Sequence, residues 1–188
     1  PLPTNKAREW MMDMVVGLPS ENGLEGYISI VDIYSNFRIA VPCSKNITAN
    51  GVMKIIRENL VQIFNVPDKL ISDGGTNLLS SSILQEYCKN LGIKTHIGAP
   101  WNPRGHGSIE VSNRIITQSI KMLADQYNLR WTSVLPLAIA ELNQRPRKLL
   151  NCSPAFMMFG EDRASKNLAN LSANVQNQDI KQFFKDLK

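Results

Sequence analysis

The spacing of apolar residues along this chain changes from two to 3.6 after residue 41, and that change fixes the order of its elements. Residues 9–16, 26–33 and 37–41 are short segments rich in β-branched and aromatic side chains. The polar link Ser20-Glu21-Asn22-Gly23 and the pair Ser35-Asn36 supply the turns between them, and Pro42 is expected to stop the third. Three strands with links this short form an antiparallel meander. From Thr48, an expected N-cap, apolar residues recur at Val52, Ile55, Ile56, Leu60 and Ile63, a helical stripe that Pro67 closes. Residues 69–72 then read as a strand, 83–91 as a helix stopped by Gly92, and 93–97 as a strand. Helices are expected over 107–127 and 131–144. Pro146 ends the second, and Ser153-Pro154-Ala155-Phe156 opens a short helical cap. The order β-β-β-α-β-α-β-α places the chain in the α/β class. The sheet is mixed and five-stranded: three antiparallel strands, then two joined by helical crossovers, with helices on its flanks.

At 188 residues there is material for one sizeable core. Residues 1–160 are expected to form it, leaving 161–188 as a polar, amide-rich linker with a short helix near 178–187. A net charge of +5 favours a polyanionic partner. No run of about 18 apolar residues is present, so no membrane partner is expected. The opening Pro1-Leu2-Pro3-Thr4 is no signal peptide, and the missing Met suggests a piece of something longer. Cys43, Cys88 and Cys152 are odd in number and far apart, which fits a reducing compartment better than a disulfide framework. Cys88 falls on the apolar side of its helix, as an inert buried thiol would. Two histidines, His96 and His106, with no Cys-x-x-Cys leave no zinc-finger spacing in this stretch.

Three acids sit where a surface charge makes little sense. Asp13 interrupts Trp10-Met11-Met12-Asp13-Met14-Val15-Val16, and Asp73 ends Leu70-Ile71-Ser72-Asp73 before Gly74-Gly75. Glu110 follows the Pro/Gly-rich loop from Gly98 to Gly107 at the start of a helix. A carboxylate in hydrocarbon costs several kcal/mol unless paired or bound to metal. Asp13 falls mid-strand and Asp73 at a strand's carboxyl end, where ligand sites of open α/β sheets gather. If the first and fourth strands are neighbours, both acids reach one edge. Glu110, Arg114, Thr117 and Lys121 share one face of the following helix, with Asn113 beside it, while Ile109, Ile116, Ile120 and Leu123 seat its other side. Converging carboxylates suit Mg²⁺, which takes oxygen ligands, and a pair of such ions serves phosphoryl transfer.

With these motifs on the page, the chain resembles the catalytic core of retroviral and LTR-retrotransposon integrases, most closely those of gypsy-type elements. Trp10-Met11-Met12-Asp13 with Leu18-Pro19, Ser72-Asp73-Gly74-Gly75-Thr76, and Pro103-Arg104-Gly105-His106-Gly107 running on to Glu110 and Asn113-Arg114 carry the likeness. Trp131, Leu135-Pro136, Ala138, Asn143 and Ser153-Pro154 extend it, so that it covers residues 8–160. The resemblance implies an RNase H-like fold and a metal-dependent polynucleotidyl transferase. Such an enzyme trims the 3′ ends of element DNA and joins them to target DNA. It implies catalytic, metal-binding roles for Asp13, Asp73 and Glu110, with two Mg²⁺ or Mn²⁺ ions, Asp13 touching both. DNA contacts would fall to Asn113, Arg114, Thr117 and Lys121, with the loop residues Arg104 and His106. Implied partners are element and target DNA and further copies of the chain, in a nucleoprotein complex in the host nucleus. A zinc-binding domain and a C-terminal DNA-binding domain would lie elsewhere in the parent protein.

Two departures stand out. Between Asp73 and Glu110 lie 36 residues, 74–109, one more than the family's usual gap. The extra residue falls between Asn77 and Leu91, where a loop can absorb it. Val111 stands where a basic residue often follows the last acid. Two other readings remain: a domesticated, non-catalytic core serving DNA docking and self-association, and a DDE transposase or other RNase H-like nuclease. Asp32 lies in a strand outside these motifs and is expected to be structural. Trp10 and Trp131 are expected in the core, and Met11, Met12 and Met14 as gap-filling apolar residues.

Overall fold

The computed structural model describes residues 6–72, 78–98, 113–114, 116–118, 120–122, 124–125, 128–147 and 151–160. The expected linker at 161–188, and Asp73, Arg104, His106 and Glu110, lie outside the described residues. Five strands make one sheet in the order β3-β2-β1-β4-β5. They are β1 (Glu9–Glu21), β2 (Leu24–Asp32), β3 (Arg38–Cys43), β4 (Lys69–Ser72) and β5 (Lys94–Ile97). β1, β2 and β3 pair antiparallel, and β4 runs parallel to both β1 and β5. This is the mixed sheet expected. No helix among the described residues is long and apolar enough to cross a membrane.

Strand alternation divides the core in two. On one face Trp10, Met12, Ile28, Ile30 and Leu70 pack against the helices before and after β4. These are α1 (Ala49–Ile56), a π-helical turn (Arg57–Val61) and α2 (Gln62–Phe64), then α3 (Ser82–Asn90). On the other face Leu18 and Tyr27 pack against the helical residues within 113–125, α4, and against α5 (Trp131–Gln144). A short α6 (Pro154–Phe159) covers the sheet's outer corner. Trp10 and Trp131 are buried, as expected.

Several ends are set by single residues. The Thr48 hydroxyl accepts the Gly51 N–H at 3.3 Å and caps α1, and Ser153 caps α6 through the Phe156 N–H at 3.0 Å. α3 ends in a Schellman arrangement: Gly92, at φ +76°, donates to the Lys89 carbonyl, and Ile93 donates to that of Cys88. Asn22 and Gly23, both at positive φ, make the two-residue turn from β1 to β2. At Gly26 any Cβ would collide with the Val15 carbonyl oxygen, so the two strands approach this closely only because no side chain intervenes.

Three sequence expectations need correction. β1 does not stop at Val16. Its ladder is interrupted after Val16, with Gly17 at φ +93°, and resumes to Glu21 because that extension has partners on α5. The Trp131 indole donates to the Pro19 carbonyl at 2.8 Å. The Glu21 carboxylate accepts the Trp131 N–H, the Thr132 N–H and the Thr132 hydroxyl, an N-terminal cap borrowed from a distant strand. Pro42 does not stop β3 either; it pairs with Tyr27, because β3 is an edge strand where a missing N–H is tolerated. Ile63 is 61% exposed instead of core. The π turn adds a residue to the helical repeat, so Phe64 comes inward and packs against Trp10, with ring centroids 5.0 Å apart and the planes tilted by 55°.

Asp32 is structural, as expected. Fully buried, its carboxylate accepts the Ala7 N–H at 2.9 Å, the Ser35 N–H at 2.7 Å and the Ser35 hydroxyl at 2.6 Å, locking the β2–β3 turn. Cys43 and Cys88 are buried, and burial pushes both thiols up to about 11, which keeps them protonated and unreactive at neutral pH. On the outer edge of β3, the Asn143 amide stands in for an absent sixth strand. It accepts the Arg38 N–H and donates to the Arg38 carbonyl, both at 2.8 Å. Asn143→Ala leaves both backbone groups buried without a partner, so it is expected to lower unfolding stability by about 2–4 kcal/mol in urea titration.

Candidate active site

Asp13 lies at the centre of the sheet, opposite Ser29 on β2. One residue earlier, Met12 is in parallel register with Ser72, the last residue of β4. The strand that carries Asp13 and the strand that leads to Asp73 are therefore direct neighbours, the condition on which their expected convergence rests. By alternation Asp13 shares its face with Tyr27, Ser29, Val31, Arg38 and Ala40, the face covered by α4 and α5.

The Asp13 carboxylate is half-buried and held at both oxygens. Oδ1 accepts the Met14 N–H at 2.8 Å, and Oδ2 accepts the Asn113 side-chain N–H at 2.9 Å. Asn113 is a hub. Its side-chain oxygen accepts the Ser29 hydroxyl at 3.2 Å and Nη1 of Arg38 at 3.4 Å. Its backbone carbonyl accepts the Thr117 hydroxyl at 2.9 Å and the Tyr27 hydroxyl at 3.4 Å, and those two hydroxyls lie 3.3 Å apart. Every polar atom of the Asn113 side chain thus points inward, and the residue is 5% exposed.

Helical period explains the placement. Asn113, Ile116 and Ile120 recur along the stripe of α4 that faces the sheet, so Asn113 sits where an apolar residue would. The local electrostatics fit a fixed carboxylate. Burial pushes the Tyr27 phenol up to about 12, with Asp13 adding to the rise and the Thr117 hydrogen bond and Arg38 opposing it. Burial brings the Arg38 guanidinium down to about 10, with Tyr27 opposing and Arg147 reinforcing that fall, so it stays cationic at neutral pH.

Of the expected site residues, the structure brings Asp13 and Asn113 into direct contact and joins Thr117 to them through the Asn113 carbonyl. Arg114 and Lys121 are exposed. Lys121 borders a separate cavity, with Pro19, Glu21, Asp125 and Trp131, at the far end of β1. Sequence reasoning had passed over Ser29, Arg38 and Tyr27. The signal was available in the alternation Tyr27-Ile28-Ser29-Ile30 and Arg38-Ile39-Ala40, where polar or small residues take every second position and so share the Asp13 face. Among the described residues no group of three His, Cys, Asp or Glu side chains is close enough to hold a metal ion, and Asp13 is the one expected ligand among them. Its chemistry fits a hard cation: a half-buried carboxylate, with the orientation of both oxygens set by N–H donors.

Residues 3–103 match the family model described as the integrase core domain. The chain is 29% identical over 144 residues to the Gag-Pol polyprotein of Walleye dermal sarcoma virus, covering 76% of this chain and 8% of that protein. It is 22% identical over 157 residues to the Transposon Tf2-3 polyprotein of Schizosaccharomyces pombe, covering 82% of this chain and 12% of the relative. The chain thus spans a small part of the length of these relatives. Among solved structures, the catalytic core domain of BIV integrase aligns with a TM-score of 0.65 at 22% identity, over 82% of this chain and 95% of that one. A chain of the simian T-cell lymphotropic virus intasome, solved in complex with PP2A regulatory subunit B56 gamma, aligns at 0.67 and 20% identity, over 85% of this chain and 56% of that one. The fold is RNase H-like, as in those integrase catalytic cores.

The buried phenol gives a measurable consequence. Tyr27 is pushed up from 10.0 to about 12, so it binds its proton more tightly folded than unfolded. Its share of stability is complete below pH 10 and is lost as pH climbs toward 12. In an alkaline absorbance titration of the four tyrosines, one is expected to ionise near 12, and Tyr27→Phe should remove that step.

Proposed function

Because this chain belongs to the integrase core domain family, we propose that it is a catalytic core that processes the 3′ ends of element DNA and joins them to target DNA. The observation that supports this best is the pairing of β1 with β4 in a register that sets Met12 beside Ser72, each the residue before an aspartate. A parallel ladder continued by one step would bring Asp13 and Asp73 side by side. Asn113, bonded to Asp13, follows Glu110 by three residues, a separation that one helical turn would span. On this reading Asp13, Asp73 and Glu110 would form one carboxylate cluster.

The residues divide the work. Asp13, Asp73 and Glu110 would hold two Mg²⁺ or Mn²⁺ ions, which when bound supply positive charge to the attacking and leaving oxygens of the phosphodiester. Asn113 is a positioning residue: its N–H fixes Asp13 Oδ2, and Ser29 and Arg38 fix Asn113 in turn. Tyr27 and Thr117 hold the Asn113 carbonyl and so the angle at which α4 meets the sheet. Arg114 and Lys121, both exposed, are available to phosphates of bound DNA. Arg104 and His106, in the loop before Glu110, are proposed to contact DNA as well. Two DNA ends must be joined together, so the working form contains more than one copy. Action on chromosomal target DNA assigns it to the nucleus.

The test is substitution of the acids in the protein that carries this chain at full length. Asp13→Asn, Asp73→Asn and Glu110→Gln are each expected to abolish strand transfer, with thermal unfolding little changed. Wild-type-like joining by any of the three sinks the reading. Asn113→Ala is expected to lower the rate of joining at saturating Mg²⁺ without abolishing it, because Asp13 keeps its Met14 N–H contact. Added Mn²⁺ should raise the unfolding temperature of the wild-type chain and not that of Asp13→Asn. Unchanged stability with DNA binding retained would favour a docking scaffold instead.

A further inference from the structure

Beside the Asp13 cluster, and sharing Arg38 with it, cationic side chains of the described residues gather at a second place. A cavity of about 180 Å³ lies where the edge strand β3 meets the end of α5, lined by Asn36, Arg38, Leu142, Arg145, Pro146, Arg147 and Pro154. Three of these seven are arginines, and no acidic residue among the described ones lines the cavity. Arg38 is 7% exposed, with its backbone clamped from both sides by Asn143. The Arg147 backbone is tied to Cys152 by an isolated bridge, and its carbonyl accepts the Asn151 N–H. Arg145, on the rim, has Nε 3.3 Å from Glu141. Neither Arg38 nor Arg147 enters any of the ion pairs found between described residues.

Among the described residues no carboxylate pairs with Arg38, and the hydrogen bond to the neutral Asn113 amide offsets only part of its desolvation cost. Burial and the Arg147 charge both disfavour the cationic form of Arg38, with only Tyr27 opposing them. Two arginines fixed by their backbones around a small cavity present planar donor forks, the arrangement that recognises tetrahedral oxyanions. A water molecule's share of liquid volume is about 30 Å³, so the cavity has room for such an anion with some of its waters.

We propose that this cavity is a seat for a phosphate group, gripped by Arg38 and Arg147 with Arg145 at its rim. The phosphate can arrive as the free ion or within a nucleic-acid backbone, since both present the same oxygens. Its position gives the seat a route to the sheet centre. Arg38 Nη1 donates to Asn113, and Asn113 donates to Asp13, so an anion that draws Arg38 toward the cavity acts on the orientation of that carboxylate. The seat does not depend on the reaction proposed above.

The test uses the 188-residue chain without metal or DNA, titrating inorganic phosphate against thermal unfolding and taking chloride at equal ionic strength as the reference. A saturable rise in Tm with phosphate and none with chloride is expected. Arg147→Gln, at a half-exposed position, should fold normally and weaken phosphate binding about tenfold or more, and Arg38→Gln should do the same. No rise beyond chloride, or equal affinity in wild type and Arg147→Gln, overturns the proposal. A second arm measures duplex DNA affinity against salt concentration. A slope smaller by about one in Arg147→Gln assigns the seat to a backbone phosphate, and an unchanged slope with phosphate binding lost assigns it to the free ion. Because no metal is present, failure here leaves the reading of the three acids untouched.

Discussion

The hydrogen bond from the Asn113 amide to Asp13 spans 100 residues of sequence and closes the second layer of this protein onto its first. Ile116 and Ile120 seat α4 at its distance from the sheet, and this bond, with those of Ser29, Arg38 and Tyr27 to Asn113, sets its rotation. With it, the helix has one register. The amide cannot turn over, because its oxygen already accepts Ser29 and Arg38 and its nitrogen has a carboxylate to serve. Polar contacts in a core are costly when incomplete and strongly orienting when satisfied. Here the set is satisfied, and it lies beside the one carboxylate of the sheet centre that the proposed chemistry needs.

Much of this was legible in the sequence, and the parts that were not have identifiable causes. Asp13 in an apolar strand, the switch to helical spacing at Thr48 and the stop at Gly92 each follow from local rules of period and capping, and each stands as read. At Val16 and Pro42 a distant element decides a local outcome, and at Ile63 an irregularity within the helix does. Glu21 and Pro19 stay in a strand because α5 needs a cap and an indole acceptor. Pro42 is harmless because β3 happens to be an edge. Ile63 is outside because a π turn moves the phase of its helix, and nothing in the apolar pattern announces that turn.

The polar hub was half visible. Asn113 was read beside the charged face of its helix, next to Arg114, when its neighbours in space are the buried ones. Its polarity suggests a side chain turned to acids and DNA, whereas its place at the i−3 and i−7 positions from Ile116 and Ile120 puts it in the interior, bonded to Asp13. Period was the better guide. Arg38 was missed for a related reason: a strand arginine looks like a surface residue until the register puts it across from Val31, on the covered side of the sheet.

The π turn at Arg57–Val61 says something about how this architecture tolerates change in chain length. One surplus residue is taken up inside a helix that lies across the sheet, and the strands before and after it keep their pairing. Its remainder is rotated so that Phe64 meets Trp10, Phe37 and Phe159 in an aromatic corner. Lengthening is thus stored as a local widening of the spiral, and the aromatic corner absorbs the swivel that results. Insertions elsewhere on that face can be accommodated in the same manner, at the periphery, while the spacing of groups along the central strand stays as it was.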